Sequence, residues 1–140
     1  MEQMTVLFLD TNVILDSVFN REGQKSTQKI LGLSPRKAKC CTSILSMANA
    51  AYIIRKGRTV SEVRECMKEI FNQCKVLSMG DQMFFNALRC KSPDFEDSLQ
   101  IQCAEFEGCD VIITRNVSHF KAYTPLPVMT PEEFLSLVGK

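Results

Sequence analysis

The sequence predicts an α/β fold, a three-layer α/β/α sandwich around a short parallel sheet. Two apolar runs predict it, Thr5-Val6-Leu7-Phe8-Leu9 and Val111-Ile112-Ile113-Thr114. Both are β-prone and neither alternates, as strands buried on both faces require. The first meets turn and cap residues at once, Asp10-Thr11-Asn12, and then a helical pattern from Val13 to Phe19. Helical spacing recurs between the two runs, so helices separate the strands and the strands run parallel.

From the amino end, Ser26 to Leu33 supports a second helix, stopped near Pro35. Cys40-Cys41-Thr42 is a short strand. It leads into a helix over Ser43–Arg55, with Ile44, Met47, Ala48, Ala51 and Tyr52 at helical spacing and Gly57 as its stop. Thr59-Val60-Ser61-Glu62 is a capping box. The helix it opens carries Val63, Met67, Ile70 and Phe71 on one side. Cys74 to Leu77 is another short strand, after which Ser78 or Asp81 caps a helix through Phe84, Phe85 and Leu88. A helix from Phe95 to Phe106 follows Pro93, with Leu99, Cys103 and Phe106 on one face, and closes at Gly108. Thr130-Pro131-Glu132-Glu133 sets cap, N1 proline and N3 glutamate in order for a last helix. No repeat, linker or low-complexity segment interrupts, and one domain over residues 1–140 is expected.

Composition narrows the function classes. Hydrophobic content of 45% and charged content of 24% exclude a disordered chain. No apolar run reaches the roughly 18 residues of a membrane span. The opening Met1-Glu2-Gln3-Met4 lacks a basic signal-peptide start, so a soluble, cytoplasmic protein is expected. The seven cysteines form no C-x-x-C pair and the only histidine is His119, which argues against zinc-ribbon and thioredoxin-like sites. The thiols read as reduced apolar filler. Net charge is +1 but uneven: Ser17 to Ser61 holds nine bases and one acid, a block suited to a phosphate backbone.

Candidate chemistry gathers at strand ends, where open α/β sheets bind ligands. Asp10 follows the first strand and Asn116 the Val111–Ile113 strand, while Asp94, Glu96 and Asp97 crowd the helix leading into the latter. Converging carboxylates repel unless a cation sits among them, and Mg²⁺ or Mn²⁺ suits such oxygen donors. Capping offers a competing account for Asp94, Asp97, Thr11 and Asn12. Asp16 reads as a solvated helix residue.

Three segments together resemble a known family: Leu7-Phe8-Leu9-Asp10-Thr11-Asn12-Val13-Ile14-Leu15-Asp16, Asp94-Phe95-Glu96-Asp97-Ser98-Leu99-Gln100, and Ile112-Ile113-Thr114-Arg115-Asn116 followed by Phe120. In order and spacing they are similar to the PIN domain, in the compact prokaryotic forms of VapC toxins. The resemblance implies a Mg²⁺- or Mn²⁺-dependent endoribonuclease, a homodimer, and an antitoxin protein as partner. It further implies Asp10 and Asp97 as metal ligands, Asp94 as an accessory acid, Asn116 as a ligand or water-positioning group, and Thr114 and Asn12 as accessory groups. One position departs: Asn49 stands where the pattern carries a glutamate, leaving one negative charge fewer. Lys37, Lys39, Arg55 and Lys56 are the expected substrate-gripping bases. Two other functions stay open, a non-catalytic PIN-like module binding RNA or protein, and a haloacid-dehalogenase-like phosphotransferase. The second needs an aspartate two positions after Asp10, where this chain has Asn12.

Overall fold

A computed structural model describes residues 4–19, 23–33 and 37–138. Arg21, Glu22, Pro35 and Arg36 of the sequence reading lie outside the described residues. In chain order the elements are β1 (Thr5–Leu9), α1 (Thr11–Val18), α2 (Gln24–Leu33), β2 (Ala38–Ser43), α3 (Ile44–Ile54), α4 (Val60–Gln73) and β3 (Lys75–Leu77). Then come α5 (Asp81–Ala87), α6 (Phe95–Phe106), β4 (Val111–Ile113), α7 (Val117–Lys121), β5 (Val128–Met129) and α8 (Pro131–Val138). All strand pairings are parallel, in the order β3-β2-β1-β4-β5.

Period-two alternation splits the central strands between two cores. Leu7, Leu9, Val111 and Ile113 pack with Val13, Ile14, Ile30, Met47, Ala50, Ile70 and Phe134 from α1, α2, α3, α4 and α8. Phe8, Cys41 and Ile112 face the other way, onto Met83, Ile101, Cys103, Ala104 and Phe120 from α5, α6 and α7. The expected three-layer α/β/α architecture is thus realised. Gly57 and Gly108, just past α3 and α6, take φ of 74° and 72°, the left-handed conformation that ends a helix.

The chain winds from β1 out to β2 and β3, then returns to the other side of β1 for β4 and β5. Winding therefore reverses between β1 and β4, and a crevice opens beyond their carboxyl ends. The Asp10 amide, donating to the Ile113 carbonyl at 3.0 Å, closes the floor of that crevice.

Several expectations need correction. Ile44 and Tyr52 of α3 face solvent, as do Phe71 of α4 (62% exposed) and Phe106 of α6 (64% exposed). In α3 and α6 the inward faces include Ser46 and Gln100, compensated by a buried hydroxyl network, and Ser98, whose hydroxyl donates to the Asp94 carbonyl. Apolar spacing alone cannot register such compensation. Helix α5 starts at a Gly80 cap with no side-chain bond, rather than at Ser78 or Asp81. Cys74 ends α4 instead of opening β3. Asp16 is buried, not solvated, and is paired with Arg115 at 2.8 Å. Strand β5 and helix α7 escape the sequence pattern; Pro125 and Pro127 mask β5, which tolerates proline at its flank because it is an edge strand.

Candidate active site

Asp10 leaves β1 as the N-cap of α1, which fixes its carboxylate at the crevice floor. Oδ1 accepts from the Thr11 amide at 2.8 Å, and Oδ2 accepts from the Thr114 hydroxyl at 3.0 Å. Thr114 is fully buried at the end of β4, and its Oγ1 in turn accepts from the Asn116 amide at 3.0 Å. One hydroxyl therefore couples the exits of both central strands.

A second set of bonds braces the floor from below. Ser43, at the end of β2, caps α3 by accepting from the Ser46 amide at 2.9 Å and donates to Gln100 Oε1 at 2.6 Å. Gln100 Nε2 donates to Ser46 Oγ and, at 3.4 Å, to Thr11 Oγ1. Thr11 donates to Ser46 Oγ at 3.1 Å. These groups are all buried, and their direct bonds tie α1, α3 and α6 together.

An open pocket of about 500 Å³ lies above, lined by Asp10, Thr11, Asn12, Asn49, Tyr52, Ile53, Asp94, Glu96, Asp97, Asn116 and His119. Asp94 does cap α6, accepting from the Asp97 amide at 3.1 Å, and it also lines the pocket. Asn49 donates through Nδ2 to Glu96 Oε1 at 2.8 Å. His119 Nδ1 lies 3.7 Å from Asp97 Oδ2.

The carboxylates feel one another. Burial, then Asp94 and Asp10, push the Asp97 carboxyl up to about 6, with His119 opposing. Asp10 is raised by burial and less so by Asp94, against the bonds from Thr114 and Thr11. Glu96 is raised by burial, Asp94 and Asp10, with the Asn49 bond opposing. A cation among them would relieve each of these costs. Among the described residues no three acid, thiol or imidazole groups close into a ready-made metal cage. The pocket instead offers carboxylate and amide oxygens to an open centre. That matches a small hard cation, which keeps much of its water and takes one or two carboxylates.

Of the residues expected from sequence, Asp10, Asn12, Asn49, Asp94, Asp97 and Asn116 share this pocket, with Thr114 directly beneath Asp10. Arg55 stacks its guanidinium 4.1 Å from the ring centroid of Tyr52, a pocket wall, and exposed Lys56 adjoins it. Lys37 and Lys39 are elsewhere: they sit at the amino end of β2, opposite the strand ends that form the site. Sequence reasoning set Tyr52 on the apolar face of its helix and assigned no site role to Ile53, Gln100 or His119. Gln100 could have been noticed as a long polar side chain between Leu99 and Ile101.

Comparison with known proteins bears on the same segments. The sequence model of the PIN domain matches residues 6–118. The chain is similar to Ribonuclease VapC1 of Aquifex aeolicus (strain VF5), 30% identical over 139 residues and covering 91% of this chain and 92% of that protein. Its fold resembles a chain of VapBC-1 from nontypeable Haemophilus influenzae, with TM-score 0.71 and 16% identity over 91% of this chain and 99% of the other. It also resembles a chain of VapBC2 from Rickettsia felis, solved bound to a promoter DNA fragment, with TM-score 0.70 and 14% identity over 89% and 97% of the two chains.

Proposed function

Because this chain belongs to the PIN domain family, we propose that it is a Mg²⁺- or Mn²⁺-dependent endoribonuclease of the VapC kind. The observation that carries this reading is the meeting of Asp10, Asp94, Glu96 and Asp97 around one pocket at the winding reversal of the sheet. Asp10 and Asp97 would hold the ion, with Asp94 as accessory acid. When bound, such an ion activates water and neutralises charge on a phosphodiester.

The chain's own groups have separate tasks. Thr114 and the Thr11 amide orient Asp10, so its oxygens keep fixed directions whatever the substrate does. Asn116 positions the attacking water, and Asn12 stands by it as an accessory group. Asn49 replaces the family's glutamate, yet its amide holds Glu96 against the pocket and so returns a negative charge to that wall. Water oxygen bonds to phosphorus and gives up one proton, the P–O bond to the leaving ribose oxygen breaks, and that oxygen takes up a proton. Arg55 and Lys56 serve the RNA backbone from the Tyr52 side; Lys37 and Lys39 do not fit that task, given their end of the sheet.

Two partners accompany this reading, an antitoxin protein and a second copy of the chain. Exposed Phe84, Phe85 and Leu88 of α5, with Phe95 packed edge-on to Phe84 at 5.2 Å, form an apolar surface that supports self-association. A monomer mass by light scattering at tens of micromolar would remove the homodimer.

Nuclease assay of purified protein with Mg²⁺ or Mn²⁺ is the direct test. Asp10→Asn and Asp97→Asn are each expected to abolish metal-dependent cleavage without lowering the melting temperature in EDTA, since each removes one of several repelling charges. If both variants melt clearly lower, the two carboxylates brace the fold rather than repel their neighbours, and the site assignment falls. The second reading, a non-catalytic RNA- or protein-binding module, is favoured by the amide at position 49. Metal-dependent cleavage absent from the wild type, with RNA still bound, would decide for it.

A further inference from the structure

A second pocket of about 350 Å³ adjoins the carboxylate pocket and shares Asp94, Asp97 and His119 with it. Its remaining walls are Ser92, Pro93, Ser118 and Tyr123. Pro93 and the rings of Tyr123 and His119, with the hydroxyls of Ser92 and Ser118 between them, thus face a cavity whose other side is acidic. Pro93 comes from the loop before α6, and the Tyr123 ring is half-buried, packed onto the Phe8 and Ile112 side of the core. His119 is 60% exposed and lies on the rim common to both pockets.

Charge decides what can enter. Away from a bound cation, Asp94 and Asp97 repel a phosphate group, which disfavours the strand's backbone in this cavity. An uncharged, flat group can enter, because rings and proline offer stacking surface. Hydrogen bonding narrows the choice further. Asp94 commits Oδ1 to the cap of α6, which leaves Oδ2 outside that bond and able only to accept. An acceptor of this kind pairs with the exocyclic amino group of adenine, cytosine or guanine, as carboxylates do with cytosine N4, whereas uracil offers only its ring N3–H, set deeper on the base edge. Aromatic side chains beside a strand path are the usual platforms for single-stranded bases.

We propose that this second pocket takes the base of a nucleotide adjoining the scissile phosphate, with preference for adenine, cytosine or guanine over uracil. The proposal rests on the ribonuclease reading and assigns part of its substrate selection to Tyr123, His119 and Asp94.

The test uses single-stranded RNA oligonucleotides whose cleavage position is mapped with the wild-type protein, each flanking nucleotide being replaced singly by an abasic one. Removing the base on one flank should lower kcat/KM on the order of 10-fold, the size expected of one stacked base. Uracil at that flank should lower it by about fivefold or more relative to the amino-bearing bases. Tyr123→Ala should lose a similar factor on intact RNA and nothing further on the abasic strand, while Tyr123→Phe retains activity. Anisotropy measurements in EDTA on the same strands should show the same base dependence in affinity. Abasic strands cut and bound within twofold of intact RNA on both flanks would overturn the proposal, as would additive losses from Tyr123→Ala and base removal. Base-dependent binding without any metal-dependent cleavage would sink the nuclease reading and leave the base pocket standing.

Discussion

On the proposed reading Asp97 faces two opposed requirements, since a ligand to a cation must be ionised yet this carboxyl sits half-buried beside Asp94 and Asp10. Its carboxyl lies near 6 in the folded chain against an ordinary 3.8, so the folded state binds the proton more tightly. Folding stability in EDTA should therefore rise as pH falls from 7 through about 6, with the gain complete below about 4. Metal loading runs the other way and should strengthen as pH rises through the same range. Thermal melts at pH 5 and 7, with and without Mn²⁺, read both signs. A metal-induced shift as large at pH 5 as at 7 would show that Asp97 is not a ligand. Asn49 gives a companion case. Asn49→Glu would set a carboxylate against Glu96 in place of the present 2.8 Å bond, lowering apo stability. With another donor in the pocket, the same variant should enlarge the melting shift produced by Mn²⁺. An unchanged shift would mean that position 49 supports Glu96 and nothing more.

At the scale of elements, Arg115 joins segments far apart in sequence. Its guanidinium meets Asp16 of α1 at 2.8 Å, the carboxylate of Glu132 in α8, and the Gly23 carbonyl at 3.1 Å. It also lies between Thr114 and Asn116, so these bonds hold the site's β4 exit from behind. A Cβ at Gly23 would fall 1.9 Å from the guanidinium, and only glycine allows the approach. Arg115→Ala should cost about 1–3 kcal/mol, between the exposed and buried limits for ion pairs, because buried Asp16 loses its charged neighbour and Glu132 and the Gly23 carbonyl lose a donor. Gly23→Ala should destabilise as well. Denaturant melts check both, and a loss below about 0.5 kcal/mol for Arg115→Ala would place the pair among surface contacts. Such cross-chain ties explain how far the fold was legible. The buried runs at β1 and β4, the Thr59 capping box and the Thr130 cap announce themselves through local chemistry. Burial of Asp16 depends on a cation 99 residues away, and the inward turn of Ser46 depends on Gln100. Neither is written in local spacing. Asp10, Asp94, Asp97 and Asn116 were readable because strand ends and a helix start converge in any α/β sheet of this winding. Tyr52 and His119 were not, since nothing in their neighbourhood tells an exposed ring on a site wall from one on an outer face.

For the whole molecule the uneven charge matters most. The nine bases between Ser17 and Ser61 looked like one phosphate-binding block, but the fold divides them. Lys37 and Lys39 go to the amino end of the sheet, whereas Arg55 and Lys56 follow the Tyr52 wall of the pocket. Charge near the site cannot be uniformly positive either, because four carboxylates line the pocket itself. On the ribonuclease reading, the scissile phosphate alone would reach the cation among these acids, and the flanking backbone would run beside them, with contacts on the α3 side. Each base that neutralises a phosphate contributes about 0.7 to the slope of log affinity against log salt for single strands. Arg55→Gln with Lys56→Gln should lower that slope by up to about 1.4 and weaken binding most at low salt. Lys37→Gln with Lys39→Gln should leave the slope unchanged, although both pairs remove the same net charge. Anisotropy titrations of one oligonucleotide at several salt concentrations compare the two. Equal slopes for both double variants would mean that the chain attracts RNA through its overall field, and that no backbone path runs along α3.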